Sequence, residues 1–421
     1  MKIVFLTQWF DPEPGAIRGL PLAAWLQARG HQVTVITGFP NYPGGKVYPG
    51  YRIRWRQWET VDGVKVLRLP LIPNHGSSAV GRTLNYVSFA LSSALLGPWF
   101  IGQADIVYVY HPPPTVGLAA LILKFIRRLP FVYHIADMWP ESVVESGMVP
   151  RGALTVVIAR CIHFWCNTLY RYADTITVLS PGFKRLLTQR GVDPSKIQVV
   201  YNWTQDDLFR PVQRDPALAQ ELGLAERFNV IYSGNLGSFQ ALETVLSAAE
   251  RLQDYPDIQI VLAGTGQKEC ALRSAARGMA NVRFLGGRPM TEMPQIHALA
   301  DVLLVHLKDL DFFASTVPSK TQVALASGRP ILMGVRGDAA DIITEAGAGL
   351  TCEPENADAM AAKILELYRM KAEAREQLGA NGRAYYLSRM SLDVGGALME
   401  DIFSRVLGRN ASRHISVAEG D

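Results

Sequence analysis

The strongest constraint on the fold is a regular alternation of short apolar segments with amphipathic ones. The segments KIVFLTQ (residues 2–8), QVTVITG (32–38) and DIVYVYH (105–111) have the length and the β-branched content of buried strands, and stretches with a helical repeat follow them. Strands that alternate with helices in this way form a parallel sheet with helices packed on its faces. The pattern therefore predicts an α/β fold.

The alternation is interrupted once, near the middle of the chain. Residues 196–211 (KIQVVYNWTQDDLFRP) run from a short strand into polar residues and a proline, and FNVIYSG (228–234) opens a second series. We therefore predict two Rossmann-like, doubly wound domains, at residues 1–204 and 205–389. A helix at 390–407 is predicted to return to the first domain, and a disordered tail is predicted at 408–421. Ligands bind doubly wound sheets beyond the carboxyl ends of their strands, so the predicted site is a cleft between the domains.

The balance of charge does not favour nucleic acid as a partner. The net charge is only +4, and the lysines and arginines are spread along the whole chain instead of forming a basic run. A mild basic excess suits anionic small ligands such as diphosphates, or the negative inner face of a membrane.

The cysteines predict neither a disulfide framework nor a metal site. They form no Cys-x-x-Cys pair and have no metal-ligand spacing with histidine, so we expect free thiols in a reducing compartment. The residues concerned are Cys161, Cys166, Cys270 and Cys352. The first apolar run is also too short for a signal peptide, so a cytoplasmic location is expected.

One uncharged stretch, residues 84–102 (LNYVSFALSSALLGPWFIG), approaches the length of a membrane span. Asn85, three serines and Pro98 weaken that interpretation. A buried helix or a helix on a membrane surface is the favoured prediction, with a transmembrane helix as the alternative.

Two segments have the composition of phosphate-binding turns. In DPEPGAIRG, Gly15 and Ala16 are small enough to let backbone N–H groups approach a phosphate, and Arg18 adds a charge. In PSKTQVALASGRPI, Ser319 and Lys320 stand directly before an apolar helix, where amides, a hydroxyl and an ammonium can converge on a diphosphate. An ordinary tight turn and an ordinary helix cap are the respective alternatives.

Several motifs in one order resemble a known family. VPSKTQVALASGRPIL, NYP after the second strand, ADMWPES, YNW and YSGNLG together resemble the bacterial family-four glycosyltransferases of capsule, O-antigen and exopolysaccharide assembly. The resemblance runs from residue 1 to about residue 405. It implies a GT-B fold, a nucleoside-diphosphate sugar as donor, transfer with retention at the anomeric carbon, and neither a metal nor another cofactor.

The resemblance also implies roles for individual residues, which meet the donor in this family. The matching positions are Gly15 and Ala16 in the first turn with Arg18 after them, Asn235 and Gly237 after the first strand of the second domain, Gly264 and Gly266 in a Gly-x-Gly turn at the nucleotide, and Ser319 and Lys320 at the phosphates.

The sequence departs from the family at two pairs of charged positions. The family usually has two glutamates eight residues apart, the second of which binds the ribose, and Ser315 and Val323 stand there. Asp309 or Asp311 is the candidate replacement for the first. The basic pair that usually follows the first strand of the second domain is also changed, to Asn235 and Gln240. Positive charge at the diphosphate is then expected from these residues: Lys320, Arg18, and Lys268 or Arg288.

In the first domain, Asp137 follows a buried strand, where the family often has a histidine and an aspartate in succession. The histidine position is Ala136. Asp137 is the candidate to accept a hydrogen bond from the acceptor hydroxyl or to hold the donor sugar, with Glu141 and His134 in reserve. The alternatives are a helix N-cap for Asp137 and a core position for His134.

The sequence supports one functional hypothesis and two rivals. A cytoplasmic, retaining glycosyltransferase on the inner face of the plasma membrane would move a sugar from a UDP-sugar, or less expectedly a GDP-sugar, to a polyprenyl-diphosphate-linked glycan. Residues 84–102 and the helix ARCIHFWCNTLYRYAD would meet that glycolipid, unless both are simply buried. The rivals are a non-catalytic nucleotide-sugar-binding subunit, because the glutamates are absent, and a nucleotide-sugar epimerase on the same fold.

Overall fold

The first half of the chain forms one eight-stranded sheet. In the computed structural model its strands are β1 (Lys2–Thr7), β2 (Gln32–Gly38), β3 (Gln57–Val61), β4 (Val64–Leu69), β5 (Ile106–His111), β6 (Phe131–Ile135), β7 (Thr175–Val178) and β8 (Ile197–Val199). Their order is β3-β4-β2-β1-β5-β6-β7-β8, and all neighbours are parallel except β3 with β4. The central strands are buried on both faces, which explains their continuous apolar sequences.

Helices accompany this sheet at α1 (Leu20–Ala28), α2 (Ala79–Phe100), α3 (Gly117–Arg127), α4 (Ala153–Tyr172) and α5 (Pro181–Gln189). Helix α2 contacts β2 and β4 and packs along α3, and α3 in turn contacts α4. These three helices are therefore neighbours in one layer over the sheet. The structure describes residues 1–14, 18–76, 78–141, 143 and 153–418.

A second sheet contains six strands, all parallel: β9 (Phe228–Ser233), β10 (Ile258–Ala263), β11 (Val282–Gly286), β12 (Val302–His306), β13 (Ile331–Gly334) and β14 (Gly349–Thr351). Their order is β11-β10-β9-β12-β13-β14. The reversal of strand order beside β9 is the point at which doubly wound sheets open a crevice for ligands.

Ten helices of the described chain accompany or follow the second sheet. They are α6 (Pro216–Leu222), α7 (Leu242–Glu250), α8 (Glu269–Ala275), α9 (Met293–Ala298), α10 (Asp311–Ala314), α11 (Ser319–Ser327), α12 (Asp338–Ala346), α13 (Ala357–Arg369), α14 (Ala372–Arg389) and α15 (Leu392–Ala418). An apolar core between β9, β10, β12, α7 and α13 holds this part of the chain together.

The chain divides into two compact units. The first consists of Met1–Leu179, Phe183–Tyr201 and Gly395–Asp421, and the second of Ser180–Gly182 and Asn202–Val394. The predicted α/β class, with one parallel-sheet domain in each half of the chain, is confirmed. Helix α15 belongs largely to the first unit and continues to Ala418, beyond residue 408, where we predicted a disordered tail to begin. No proline and only one glycine interrupt residues 408–418.

The uncharged stretch 84–102 lies largely within α2, which begins earlier than that stretch, at Ala79. Asn85, Phe89 and Ser93 are on its buried side, and Asn85 is hydrogen bonded to Gln8 at 2.6 Å. Within the described residues, no helix combines the length and the hydropathy needed to cross a bilayer.

The segment that we predicted as a linker is fixed within the second unit by Tyr386. The backbone N–H of Thr204 donates to the Tyr386 hydroxyl at 3.0 Å, and this hydroxyl donates to the carboxylate of Asp206. The other oxygen of Asp206 accepts from the backbone N–H of Leu392 at 2.9 Å. One buried hydroxyl on α14 therefore connects the entry and the exit of the second unit.

We predict that Tyr386→Phe lowers the free energy of unfolding by about 1–3 kcal/mol, because it leaves the buried N–H of Thr204 without a partner. The matched control is Tyr385→Phe, whose hydroxyl pairs with Glu345 at an exposed position and whose loss is expected to cost under about 0.5 kcal/mol. Urea unfolding of both variants measures the difference, and equal losses would contradict this role for Tyr386.

Candidate active site in the second unit

A cavity of about 710 Å³ lies at the carboxyl ends of β9, β10 and β11, beside β12 and the start of α11. This volume is within the usual range for small-molecule sites. One part of its wall is polar and includes Ser233, Asn235, Gln240, Arg288, Ser319 and Lys320. The other part is apolar and includes Phe209, Ile231, Met290, Met293, Leu303, Val323 and Ala324.

Two glycine turns interlock at the polar end of the cavity. Gly264 has a φ of +147°, and a Cβ atom there would lie 1.9 Å from the carbonyl oxygen of Gly234. A Cβ atom on Gly266 would lie 2.4 Å from the carbonyl oxygen of Leu236, whose N–H donates to Thr265 at 2.8 Å. Only glycine fits such a close approach of two backbones. The turns therefore present backbone to the cavity with no side chain between.

Lys320, the second residue of α11, brings a positive charge to these turns. Its ammonium donates to the hydroxyl of Tyr232 and lies 3.9 Å from the centre of the Tyr232 ring, and that hydroxyl donates to the carbonyl of Asn235 at 2.7 Å. Burial lowers the pKa of Lys320 to about 7. In the described part of the chain it forms no ion pair. A partly buried cation without a carboxylate partner favours the binding of an anion.

A neutral histidine lies between two serines at the inner end of the cavity. The Ser327 hydroxyl donates to the carbonyl of Val323 at 2.8 Å, so it accepts from Nδ1 of His297 at 3.0 Å. The Nε2 atom of His297 then accepts from the Ser233 hydroxyl at 2.9 Å. Burial lowers the pKa of His297 to about 4, so the ring is uncharged at neutral pH. Ser233 consequently offers only its lone pairs to a ligand in the cavity.

The structure brings five of the predicted donor residues to the cavity wall: Asn235, Gly264, Arg288, Ser319 and Lys320. Gly237 and Gly266 lie in the interlocked turns behind that wall. Val323 lines the cavity as an apolar residue, at the position where the resemblance implies a ribose-binding glutamate.

Two predicted donor residues lie outside the cavity wall. Lys268 is paired with Glu243 at 3.2 Å on the surface of the second unit. The Asp311 side chain is 99% exposed and pairs with Arg336 at 2.8 Å. Each of these two side chains therefore has an ion-pair partner at the surface, where solvent screens the pair. Neither position needs a bound ligand to account for it.

Of the residues predicted in the first turn and just after it, the structure describes Arg18, which belongs to the first unit. Gly15 and Ala16 lie outside the described residues. Arg18 is fully buried, and its guanidinium donates to the backbone carbonyls of Val200 and Tyr201, the latter at 2.7 Å. This position differs from the phosphate contact that we predicted, because the backbone that follows β8 accepts hydrogen bonds from the guanidinium.

Asp137 follows β6 in the first unit and is partly buried. Burial raises the pKa of its carboxyl. Burial also raises the pKa values of Tyr86 and Tyr110, to which the negative charge of Asp137 makes a smaller contribution. Among the described residues, none forms a hydrogen bond or an ion pair with Asp137. Most of the helix that Asp137 would cap lies outside the described residues, so its N-cap alternative is not tested.

The two reserve residues have structural partners. His134 is buried, lies 2.8 Å from the Thr177 hydroxyl and stacks on the ring of Tyr110, with burial holding its pKa well below the usual value. Glu141 pairs with Arg190. His134 is thus a core residue, as the alternative interpretation held.

Sequence reasoning missed Ser233, His297 and Phe209. Ser233 directly precedes the recognised Gly234 turn, so its position after a strand was a usable signal. His297 belongs to no motif, and only the fold brings it between Ser233 and Ser327. Phe209 stacks on His297 with ring centres 5.9 Å apart.

Metal ligation finds no support in these side chains. Across the described ranges, no three histidine, cysteine, aspartate or glutamate residues are grouped so as to hold a metal ion. The four cysteines are free thiols.

Comparison with known families identifies the class of this protein. Residues 17–203 match the Glycosyl transferase 4-like domain, and residues 215–385 match the Glycosyl transferases group 1 family. The chain is a family-four glycosyltransferase. Together the two matches span most of both units, so the family resemblance of the sequence motifs is confirmed, and the protein is an enzyme.

Similar proteins agree with this assignment. The enzyme is 27% identical over 374 residues to WcaI of Escherichia coli (strain K12), a glycosyl transferase assigned to colanic acid biosynthesis, covering 86% of this chain and 91% of that one. It is 24% identical to a GDP-mannose-dependent alpha-mannosyltransferase of Mycobacterium tuberculosis, covering 90% and 92%. Its fold resembles the crystal structure of Anabaena Alr3699/HepE in complex with UDP, with a TM-score of 0.69, 18% identity and coverage of 96% and 100%. The GT-B fold predicted from the sequence is confirmed.

We predict that the affinity of the enzyme for UDP or GDP falls as the pH rises from about 7 to 9, by up to about tenfold per unit, because Lys320 loses its proton above its pKa of about 7. A bound diphosphate favours the protonated ammonium of Lys320, so binding is tightest below that pKa. Lys320→Gln should weaken binding about 10–100-fold at pH 7 and remove the pH dependence.

Isothermal titration calorimetry measures this effect, with Lys268→Gln as the control lysine. Lys268 lies outside the cavity wall, so its variant should keep the affinity and the pH dependence of the unmodified enzyme. An unchanged pH profile in Lys320→Gln would remove this residue from the anion site.

Proposed function

We propose that the enzyme transfers a sugar from a nucleoside-diphosphate sugar, bound in the cavity of the second unit, to a glycan acceptor in cell-surface polysaccharide biosynthesis. The observation that carries the proposal is the partly buried ammonium of Lys320, which has no carboxylate partner in the described chain and stands beside two turns of bare backbone. The assignment of the similar WcaI to colanic acid biosynthesis supports the polysaccharide role.

A UDP-sugar is the first candidate for the donor. The structural neighbour Alr3699/HepE was crystallised with UDP and with UDP-glucose, which supports this choice. The GDP-mannose dependence of the similar mycobacterial enzymes supports a GDP-sugar as the second candidate. Apart from the groups that bind its phosphates, a donor would meet the lone pairs of Ser233 and the apolar side chain of Val323 in the cavity wall.

The transfer is proposed to proceed with retention and without a metal. The bond from the anomeric carbon to the diphosphate oxygen breaks, and the acceptor oxygen bonds to the same face of that carbon while its proton passes to the departing diphosphate. Lys320 and the backbone amides stabilise the negative charge that grows on this leaving group. One such donor is typically worth about 3–4 kcal/mol of transition-state stabilisation.

We assign the acceptor to the first unit, where Asp137 follows β6 and its carboxyl has no hydrogen-bond or ion-pair partner among the described residues. We infer that this carboxylate accepts a hydrogen bond from a sugar hydroxyl and so orients it. A polyprenyl-diphosphate-linked glycan at the inner face of the plasma membrane is the proposed acceptor, which places the enzyme in the cytoplasm at the membrane surface. Exposed apolar side chains of α2 support that choice.

The decisive experiment follows the release of UDP and GDP from a panel of nucleotide sugars, with and without a membrane lipid extract. Release that depends on the extract, with the sugar recovered on lipid, is expected for one of the two nucleotides. Tight binding without release under any condition would favour the non-catalytic subunit, and conversion of the donor sugar without acceptor would favour the epimerase.

We predict that Asp137→Asn lowers kcat about 10²–10⁴-fold while the dissociation constant of the donor changes less than about threefold, because the carboxylate acts on a sugar hydroxyl and not on the diphosphate. Glu141→Gln is the control, since Glu141 is already paired with Arg190 and should remain close to the activity of the unmodified enzyme. Turnover by Asp137→Asn at the unmodified rate would exclude the proposed role.

A further inference from the structure

The helical layer α2, α3 and α4 of the first unit has an unusual charge composition. These three helices contain no aspartate or glutamate, and they carry five basic residues, Arg82, Lys124, Arg127, Arg160 and Arg171. Lys124 is paired with Asp174 at 2.7 Å, and the four arginines form no ion pair with a described residue. A solvated helical face normally mixes charges of both signs. A face with one sign of charge selects a partner of the opposite sign.

Helix α2 presents a long apolar stripe to solvent. Its members recur every three or four residues and therefore lie on one side of the helix. Their exposed fractions range from 41% at Val87 to 82% at Trp99. The stripe consists of Val80, Leu84, Val87, Leu91, Leu95 and Trp99. Folding has buried the opposite side of α2 and left this side uncovered.

The neighbouring helix α3 extends this surface. Phe125 and Ile126, near the end of α3, are 61% and 67% exposed. The adjacent Arg127 donates to the backbone carbonyls of Pro98 and Gly102, at 2.6 Å for the latter, and so joins the end of α3 to the end of α2. The end of α3 that carries Phe125 and Ile126 is therefore adjacent to the end of α2 that carries Trp99.

A basic loop completes this end of the surface. Residues 51–56, which precede β3, include three exposed arginines, Arg52, Arg54 and Arg56, and none of them forms an ion pair with a described residue. Trp55 of this loop lies 5.5 Å from Phe100, the last residue of α2, and the Arg56 guanidinium stacks over both rings at 4.3 and 4.5 Å.

Arg52 and Arg54 also line a small polar cavity of about 330 Å³. Two guanidinium groups that form no ion pair with a described residue, beside a polar hollow, match the chemistry of a phosphate group. The apolar stripe and the phosphate-binding chemistry are therefore adjacent.

We propose that the stripe of α2, together with Phe125, Ile126 and the arginines of residues 51–56, docks on an anionic lipid bilayer. Apolar side chains and Trp99 enter the boundary between headgroups and acyl chains, and Arg52 and Arg54 bind lipid phosphates. The helix lies along the surface, since it is not apolar enough to cross the bilayer. This inference deepens the proposed function and rests on it for its purpose, because a lipid-linked acceptor is presented at such a surface.

Vesicle flotation of the full-length enzyme tests the proposal, with vesicles of phosphatidylcholine alone or mixed with phosphatidylglycerol. We expect binding to the mixed vesicles only, reduced by added salt. The double variants Leu95→Glu with Trp99→Glu and Arg52→Glu with Arg54→Glu should each lose about tenfold or more in partitioning. Leu398→Glu is the control, because Leu398 is 40% exposed on α15, outside this helical layer, and should bind like the unmodified enzyme.

Equal binding to neutral and anionic vesicles, no binding to either, or unchanged binding by both double variants would overturn the proposal. Self-association that Leu95→Glu with Trp99→Glu abolishes, seen by sedimentation velocity without lipid, would instead identify a second copy of this chain as the occupant. UDP affinity and the thermal midpoint, which should not change, report whether the variants remain folded. The assay contains neither donor nor acceptor, so its failure is distinct from a failure of the proposed transfer.

Discussion

The close approach of two backbone turns in the second unit is the constraint on which the donor cavity depends. Gly234 and Gly264 meet at a distance that leaves no room for a Cβ atom, and the strands β9 and β10 hold them there through their parallel pairing. Because no side chain fills this space, the ammonium of Lys320 can reach over Tyr232 to the edge of the cavity. The position of the Lys320 charge therefore depends on the glycines of the two turns and on the pairing of β9 with β10.

The polarity of the cavity is set by burial as much as by residue type. Burial brings the pKa of Lys320 to about 7 and that of His297 to about 4, so the first group titrates near neutrality while the second stays uncharged. The cavity therefore combines one adjustable positive charge with neutral hydrogen-bonding groups. In the first unit, burial raises the pKa of Asp137 and so favours its protonated form.

The exposed side of α2, in the first unit, is apolar. Helix α2 satisfies its polar residues on the inside, through Asn85 and Ser93, and leaves large apolar residues outside. A helix buried on both sides would show the same uncharged sequence, which is why residues 84–102 were compatible with a core helix, a surface helix or a membrane span. Only the sheet beneath α2 shows which side is covered.

Sequence reasoning placed residues at the cavity wall where the signal is local. Ser319 and Lys320 form a polar pair directly before an apolar helix, Gly264 lies in a turn after a strand, and the structure brings all three to the cavity wall. Lys268, expected to add positive charge, and Asp311, expected to replace a glutamate, lie outside that wall and have ion-pair partners on the surface. Arg18 lies under the chain that follows β8, about 180 residues away in sequence, which no local pattern indicates.

The sequence by itself determined the alternation of strands and helices, the division into two α/β domains and the family, because each is written in the repeat of apolar residues and in an ordered set of short motifs. The tertiary structure alone decided which charges are free and which are paired, that His297 stands between two serines, and which side of α2 faces outward. The physical reason is the same in each case: burial and pairing depend on neighbours that are remote in sequence, and only the packed sheet and helices bring them together.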